Sequence, residues 1–211
     1  SIPIKITELN YNNAAGYFQL QSAWTEQFST TLGLRYDHGS RYGGSFNPRV
    51  GLVYQPEDST IFKLLYGEAF RAPSPMDTSE TYGIISGTKN AAGQYTSSFF
   101  HVPNLNLKPE KSLTADFGIV IQSNSKKIKF ENTYFYTRLY DAIVTDEFLY
   151  NGQSTIVYDG TTSQVFANQN KGKAFITGVS TNFSAEILPG LLLNANFNYT
   201  LGSVVENGDT S

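Results

Sequence analysis

A chain of 211 residues with a formal net charge of -3 and a pI near 5.4 has no basic footprint, which excludes nucleic acid as a partner. Cysteine is absent, so disulfides, thiolate metal sites and cysteine nucleophiles are excluded too. Charged residues make up 16% against the roughly 25% of a soluble domain, aromatics reach 14%, and no apolar run approaches the about 18 residues of a membrane helix; transmembrane strands stay open.

In chain order, eight segments fit a strand template. The first runs from about Ala14 to Ala23 and turns at Trp24 to Gln27 into a strand from Phe28 to Tyr36. A Gly-rich stretch at about 37–45 (Gly39, Gly43, Gly44) reads as a loop before a third strand from Phe46 to Gln55. Pro56 to Ser59 form a turn into a fourth strand from Thr60 to Phe70. A loop of roughly forty residues follows, at about 71–111, far beyond the usual connection of about 4–6 residues. Strands from Ser112 to Gln122 and from Lys127 to Tyr140 then flank a turn at Ser123 to Lys126. A second long loop, at about 141–172, precedes strands from Lys173 to Ala185 and from Leu191 to Leu201, joined around Pro189-Gly190.

Within these strands the faces separate. Leu191, Leu193, Ala195, Phe197 and Tyr199 share one side of the last strand, and Asn194, Asn196, Asn198 and Thr200 the other. The sixth is less regular, because Asn132 falls among Ile128, Phe130, Tyr134 and Tyr136. A soluble sandwich alternates in the same way. Three features favour a membrane: strand lengths matching the about 9–11 residues of a tilted crossing, strict alternation of short turns with long loops, and aromatics at strand ends. Trp24, Phe28 and Tyr54 lie by the short turns; Tyr36, Tyr66, Phe70, Tyr136 and Tyr199 lie by the long loops. The fold class is therefore all-β, a transmembrane antiparallel β-barrel.

Several stretches resemble the TonB-dependent outer-membrane receptors, importers of siderophores, cobalamin and similar scarce nutrients. They are Ala15 to Leu20, Leu32 to Asp37, Phe46 to Tyr54, Tyr66-Gly67-Glu68-Ala69-Phe70-Arg71-Ala72-Pro73, Asn104 to Lys111, Asn132 to Tyr136 with Asp141-Ala142-Ile143, and Gly172 to Val179. Ser180 departs from the pattern, where the family often carries an acid. The resemblance implies a barrel of about 22 strands, of which about eight are visible over 1–211, with no plug domain among them. Ser1 to Lys5 do not form a signal peptide and Glu206 to Ser211 read as a polar loop, so a slice of a longer chain is expected. The alternative is a passive porin-like or small closed eight-stranded barrel.

The same resemblance implies function at the outer membrane. Its expected partners are membrane lipid, the receptor's own plug, a TonB-type energy-coupling protein, and a ferric siderophore, cobalamin or similar ligand. Arg35, Asp37, Arg49, Lys63, Asp116, Lys129 and Glu131 on the polar faces are expected to line the lumen and meet the plug, because a charge facing lipid at the midplane costs about 2–4 kcal/mol. Arg71, Tyr82, Tyr95, Phe99, Phe100 and His101 are candidate ligand contacts in the first long loop, since rings stack on planar ligands and a cation binds anionic groups. Tyr150, Tyr158, Asp159, Phe166 and Asn168 are their counterparts in the second. His38 and His101 both fall in expected external loops; a metal centre or catalytic dyad would need further ligands or an orienting carboxylate, for which the nearby Asp37 could serve, but lone loop histidines are ordinarily just exposed, and no nucleophile elbow, phosphate loop or metalloprotease pair occurs. No metal, cofactor or enzymatic activity is expected.

Overall fold

The computed structural model describes residues 10–89, 91, 93, 95–148, 161–162 and 165–205. Eight long strands form the wall: β1 (Asn13–Ala23), β2 (Phe28–Gly39), β3 (Gly43–Glu57), β4 (Thr60–Arg71), β7 (Glu110–Gln122), β8 (Ile128–Phe148), β10 (Val165–Leu188) and β11 (Leu191–Val205). Each pairs antiparallel with the next, as expected for a meander. Between β4 and β7 lie a one-turn helix α1 (Pro75–Ser79) and a hairpin of β5 (Tyr82–Lys89) and β6 (Tyr95–His101); β9 (Thr161–Thr162) pairs with β6.

The wall is one curved sheet with two distinct faces. Reading across the register, Leu20, Leu32, Val50, Tyr66, Ala115, Tyr136, Thr177 and Leu201 form one continuous row on the outer side. Large apolar side chains stay bare there, as Phe18 (62% exposed) and Phe197 (60%) illustrate, because lipid rather than protein covers them. Asn132 falls in this outer face and explains the irregular sixth strand. Its amide donates to Thr181 Oγ1 at 2.7 Å across the β8–β10 pair, so the polar group is satisfied within the wall.

Short turns close one end. Pro189-Gly190 joins β10 to β11, with Gly190 at φ +82°, and Asp58-Ser59 joins β3 to β4. Thr25 Oγ1 accepts from the Gln27 and Phe28 amides, and the Gln27 side chain donates to the Pro56 carbonyl at 2.9 Å, lacing two adjacent turns together.

At the other end the loop boundaries need correction. The stretch 37–45 is a tight turn over Ser40, Arg41 and Tyr42, because β2 and β3 keep pairing out to Gly39 and Gly43. Its glycines are not loop residues. The Tyr42 ring lies against Gly39, and a side chain on Gly44 would collide with the Tyr36 hydroxyl, so the aromatics occupy the space the glycines leave. His38 accordingly belongs to β2. The region 71–111 is mostly ordered into α1, β5 and β6, and His101 ends a strand. The region 141–172 shrinks as well: β8 and β10 remain paired from Ile143 and Asn170 out to Phe148 and Val165. Strands of 21 and 24 residues exceed the about 9–11 needed to cross, so the wall projects beyond the bilayer.

Among the described residues β1 and β11 do not pair with each other, so the eight strands do not close a small barrel. Two unpaired edges beside a bare apolar face predict aggregation of the isolated 211-residue chain in detergent-free buffer. Size-exclusion chromatography checks this, and a folded, soluble monomer would contradict it.

Candidate functional site

The chemistry-bearing residues gather in two places, the concave face of the wall and the mouth above it. On the concave face Arg35 makes a two-pronged pair with Asp37, Nε to Oδ2 at 2.8 Å and Nη2 to Oδ1 at 2.7 Å. Asp37 is 6% exposed and also receives the Asn47 amide at 3.5 Å, while Ser45 donates to Asn47 Oδ1 at 3.3 Å. This network fastens β2 to β3 just above the membrane-facing aromatics. Lower down, Lys129 pairs with Glu131 two residues along β8 at 2.5 Å.

Arg49 sits opposite Gly33 on one neighbour and Gly67 on the other, and Lys63 opposite Gly118. The glycines leave a channel in which long cationic side chains lie across the sheet; a Cβ on Gly67 would stand 3.6 Å from Arg49 Cγ. Among the described residues Arg49, Lys63 and Asp116 carry no ion pair. Arg35, Asn47 and Arg49 line a 530 Å³ concavity on this face.

The mouth is organised by Arg71, the last residue of β4. Its Nε contacts Glu110 Oε2 at the start of β7, and its Nη1 donates to Asp77 Oδ2 of α1 at 3.2 Å. Glu110 Oε1 accepts the Ile143 amide of β8 at 2.7 Å. One carboxylate thus joins β4, β7 and β8 where the loop leaves the wall. Burial pushes the Glu110 carboxyl up, but the Arg71 hydrogen bond, the Ile143 amide and the Arg71 charge together outweigh it and hold it below the usual glutamate range. Asp77 is likewise depressed: burial raises it, and the Ser74 amide, the Ser74 hydroxyl and Arg71 prevail. That amide and hydroxyl complete a capping box, Ser74 N to Asp77 Oδ2 at 2.8 Å and Asp77 N to Ser74 Oγ at 3.0 Å, with Pro75 opening the helix.

Two asparagines fix the rest of the loop to the wall. Asn168 donates to the Asp77 carbonyl at 2.9 Å, accepts from Thr145 at 2.9 Å, and its carbonyl accepts from the Asn104 amide at 2.8 Å. Asn170 grips both backbone groups of Lys108, accepting at 2.8 Å and donating at 2.9 Å, and also donates to the Asp141 carbonyl at 2.7 Å. The stretch from Asn104 to Lys111 is therefore strapped down, with Leu107 buried beneath it.

Of the six loop candidates, Tyr82 and His101 pair directly across the β5–β6 hairpin and stack, with centroids 5.2 Å apart and planes at 6°. Phe99 meets Tyr82 edge-on at 5.8 Å and Phe166 of β10 at 6.3 Å. Phe100, 5% exposed, lies over Gly83, where any side chain would overlap its ring. His101 is 1% exposed; its Nδ1 donates to the Glu80 carbonyl at 3.2 Å, and Nε2 lies 3.9 Å from Glu80 Oε2. Phe99, Phe100 and His101 thus pack the hairpin onto β10, whereas Tyr82 (50% exposed) and Arg71 remain accessible. Tyr95 opens β6, its backbone paired with Lys89. Tyr150, Tyr158 and Asp159 lie outside the described residues.

Sequence reasoning missed Asp77, Glu80, Glu110 and Asn170. The Ser74-Pro75-Met76-Asp77 capping signature was legible; the partners of Glu110 and Asn170, Ile143 on β8 and Lys108 in the loop, 33 and 62 residues away, were not. A second cavity of 220 Å³ opens between the β2–β3 turn and α1, with Tyr11, Arg41, Tyr42, Pro73, Thr78 and Leu107 in its lining.

Comparison with known proteins places this arrangement. The family model for the β-barrel of TonB dependent receptor-like proteins matches residues 4–211. An iron-regulated outer membrane virulence protein of Vibrio cholerae serotype O1 is 30% identical over 119 residues, covering 56% of this chain and 17% of that protein. The TonB-dependent siderophore receptor PirA of Acinetobacter baumannii is 24% identical over 197 residues, covering 90% of this chain and 26% of that protein. A mutant of the ferric enterobactin receptor PfeA from Pseudomonas aeruginosa superposes with a TM-score of 0.73 at 20% identity, over 90% of this chain and 27% of that one. The crystal structure of PirA from Pseudomonas aeruginosa gives 0.68 at 21% identity, over 92% and 35%. The chain spans about a quarter or less of the length of the curated relatives it matches. The continuous outer row, the charged concave face and the family match over residues 4–211 lead to one conclusion: the chain belongs to the TonB-dependent receptor β-barrel family of the outer membrane.

Proposed function

We propose that this chain is a section of wall and vestibule in a TonB-dependent importer of a ferric siderophore. The family match over residues 4–211 carries the reading, and the relatives named for siderophore and enterobactin reception support it. Ligand is captured at the mouth, where Arg71 and Tyr82 offer a cation and a ring face. A plug inside the barrel docks on the concave residues Arg35, Asp37, Arg49, Lys63, Asp116, Lys129 and Glu131, and an energy-coupling protein at the inner membrane drives its rearrangement. The glycine-flanked cations Arg49 and Lys63, without ion pairs among the described residues, suit acidic groups on such a plug. The role is transport rather than catalysis.

Iron-limited growth tests it, using a strain whose complete receptor gene is deleted and restored. Growth on at least one ferric siderophore is expected to require both the receptor and the energy-coupling protein. Uptake that persists without the coupling protein would favour the passive porin-like alternative. Growth and binding confined to cobalamin would overturn the ferric-siderophore assignment while leaving energy-coupled import intact.

A further inference from the structure

Among the described residues one buried side-chain polar atom has no hydrogen-bond partner, and it is His101 Nε2. Neither the wall nor the capture of a ligand accounts for it. Buried polar groups are ordinarily satisfied, so an orphan lone pair marks a position that lacks its partner. A carbonyl oxygen only accepts, so the 3.2 Å contact to the Glu80 carbonyl fixes the proton of the neutral ring on Nδ1. Nε2 is then a bare lone pair, and it faces the Glu80 carboxylate at 3.9 Å. A proton on Nε2 turns two opposed electron-rich groups into a charge-assisted hydrogen bond. Tyr82 acts in the same sense, since its ring lies flat on the imidazole and a π-face attracts a cation.

The ring stands where the hairpin meets the wall. β6 joins β10 through two register pairs, Val165 with Phe100 and Phe166 with His101, and the Val102 amide donates to the Phe166 carbonyl at 2.8 Å. Glu80 is the C-cap of α1, its amide donating to the Met76 carbonyl at 3.0 Å. A bond between His101 and Glu80 therefore ties β6 to the helix that carries Asp77, the second partner of Arg71. Other charged groups around the ring are engaged or distant. Phe166 and Asn168 of β10 do not titrate, and Glu147 lies one strand further, opposite Phe166 and exposed. Asp146 is paired with Lys171 and Asp77 with Arg71, while Lys89 and Tyr95 pair at the far end of the hairpin. Thr161 and Thr162 of β9 bring no charge.

We propose that His101 and Glu80 form a proton-operated clasp that locks the β5–β6 hairpin onto α1 and β10. The neutral ring holds the hairpin by packing and by its bond to the Glu80 carbonyl. Taking up a proton from water at Nε2, the imidazolium donates to the Glu80 carboxylate and adds a second attachment; losing that proton reverses the step. Histidine is the side chain whose charge ordinarily changes between about pH 5 and 8, so the clasp tightens as pH falls across that range. Because Tyr82 is stacked on this ring, the same proton sets how firmly an accessible aromatic is held at the mouth, whatever ligand is imported.

Hydrogen exchange of the Val102 amide reads the clasp in the complete receptor in detergent, at about pH 8 and about pH 5.5, after correction for the intrinsic rate. Its protection is expected to rise about tenfold toward the lower pH, the shift that one charge-assisted hydrogen bond confers. His101→Phe keeps a ring under Tyr82 without a titrating nitrogen, and Glu80→Gln keeps the shape without the charge; both are expected to abolish the rise. Glu80 is partly exposed, so its glutamine variant keeps the test informative if the phenylalanine variant folds poorly. Glu147→Gln is expected to retain the full response. Wild-type protection that stays flat or falls toward pH 5.5, a rise of equal size in the Glu80→Gln variant, or loss of the rise in Glu147→Gln would each overturn the proposal.

Discussion

Replacing Gly178 with valine is expected to cut the amount of folded barrel in the outer membrane several-fold. Gly178 lies mid-way along β10, opposite Phe135 of β8 and Thr200 of β11. A Cβ there would overlap the backbone oxygen of Tyr199 and stand 2.6 Å from Phe135 Cζ and 3.1 Å from its Cε1. The ring could swing away. The Tyr199 oxygen could not, because it belongs to the ladder that joins β11 to the wall. Overpacking commonly costs about 1–3 kcal/mol, and a clash with fixed backbone belongs at or above the top of that range. Gly67→Ala is the contrasting variant: its new methyl would meet Arg49 Cγ at 3.6 Å, an ordinary contact, and folding is expected to be preserved. Heat-modifiable gel mobility of the complete receptor reads both. Adding Phe135→Ala to Gly178→Ala should recover only part of the folded fraction, since the backbone overlap remains. Full recovery would show that the ring alone sets the cost.

This glycine also shows how far the sequence could be read. The period-two pattern located all eight wall strands, because lipid on one side and a wet interior on the other impose an alternation that no neighbouring residue can mask. Gly178 itself interrupts an otherwise ordinary strand, and only the register reveals the Phe135 ring laid over it. At 37–45 the same residue type misled: Gly39 and Gly44 sit beneath Tyr42 and Tyr36 within a continuing hairpin, whereas clustered glycines read locally as a loop. The mouth was the least legible part. Phe100 and His101 resemble ligand contacts in sequence, yet Gly83 and Tyr82, paired opposite them on β5, give their rings a seat inside the loop. Residues that hold the loop, Glu110 and Asn170, draw their partners from distant strands, and a linear pattern carries no trace of such pairings.

Glu110→Ala is expected to loosen the mouth while leaving the wall intact, and to weaken ligand binding by about tenfold. The substitution removes the Arg71 partner and leaves the Ile143 amide without its acceptor. An abandoned buried donor costs about 1–3 kcal/mol. The ion pair adds no more than about 1 kcal/mol, because Arg71 is half exposed and retains Asp77 at 3.2 Å. Glu110→Gln separates the two contributions, since its carbonyl can still accept from Ile143 while the charge is gone. Hydrogen exchange at the Ile143 amide should therefore accelerate by tenfold or more in the alanine variant and little in the glutamine variant, while exchange of the Val50–Tyr66 and Leu52–Leu64 pairs stays unchanged in both. Acid should act in the same direction. A carboxyl depressed in the folded state contributes its stabilisation fully above the unfolded value of about 4.3 and loses it as pH falls through the lower folded value. The wild-type mouth should thus hold down to about pH 4.3 and loosen progressively below it, and Glu110→Gln should flatten that acid response. An unchanged acid profile in the glutamine variant would assign the response to Asp77, the other depressed carboxyl on Arg71.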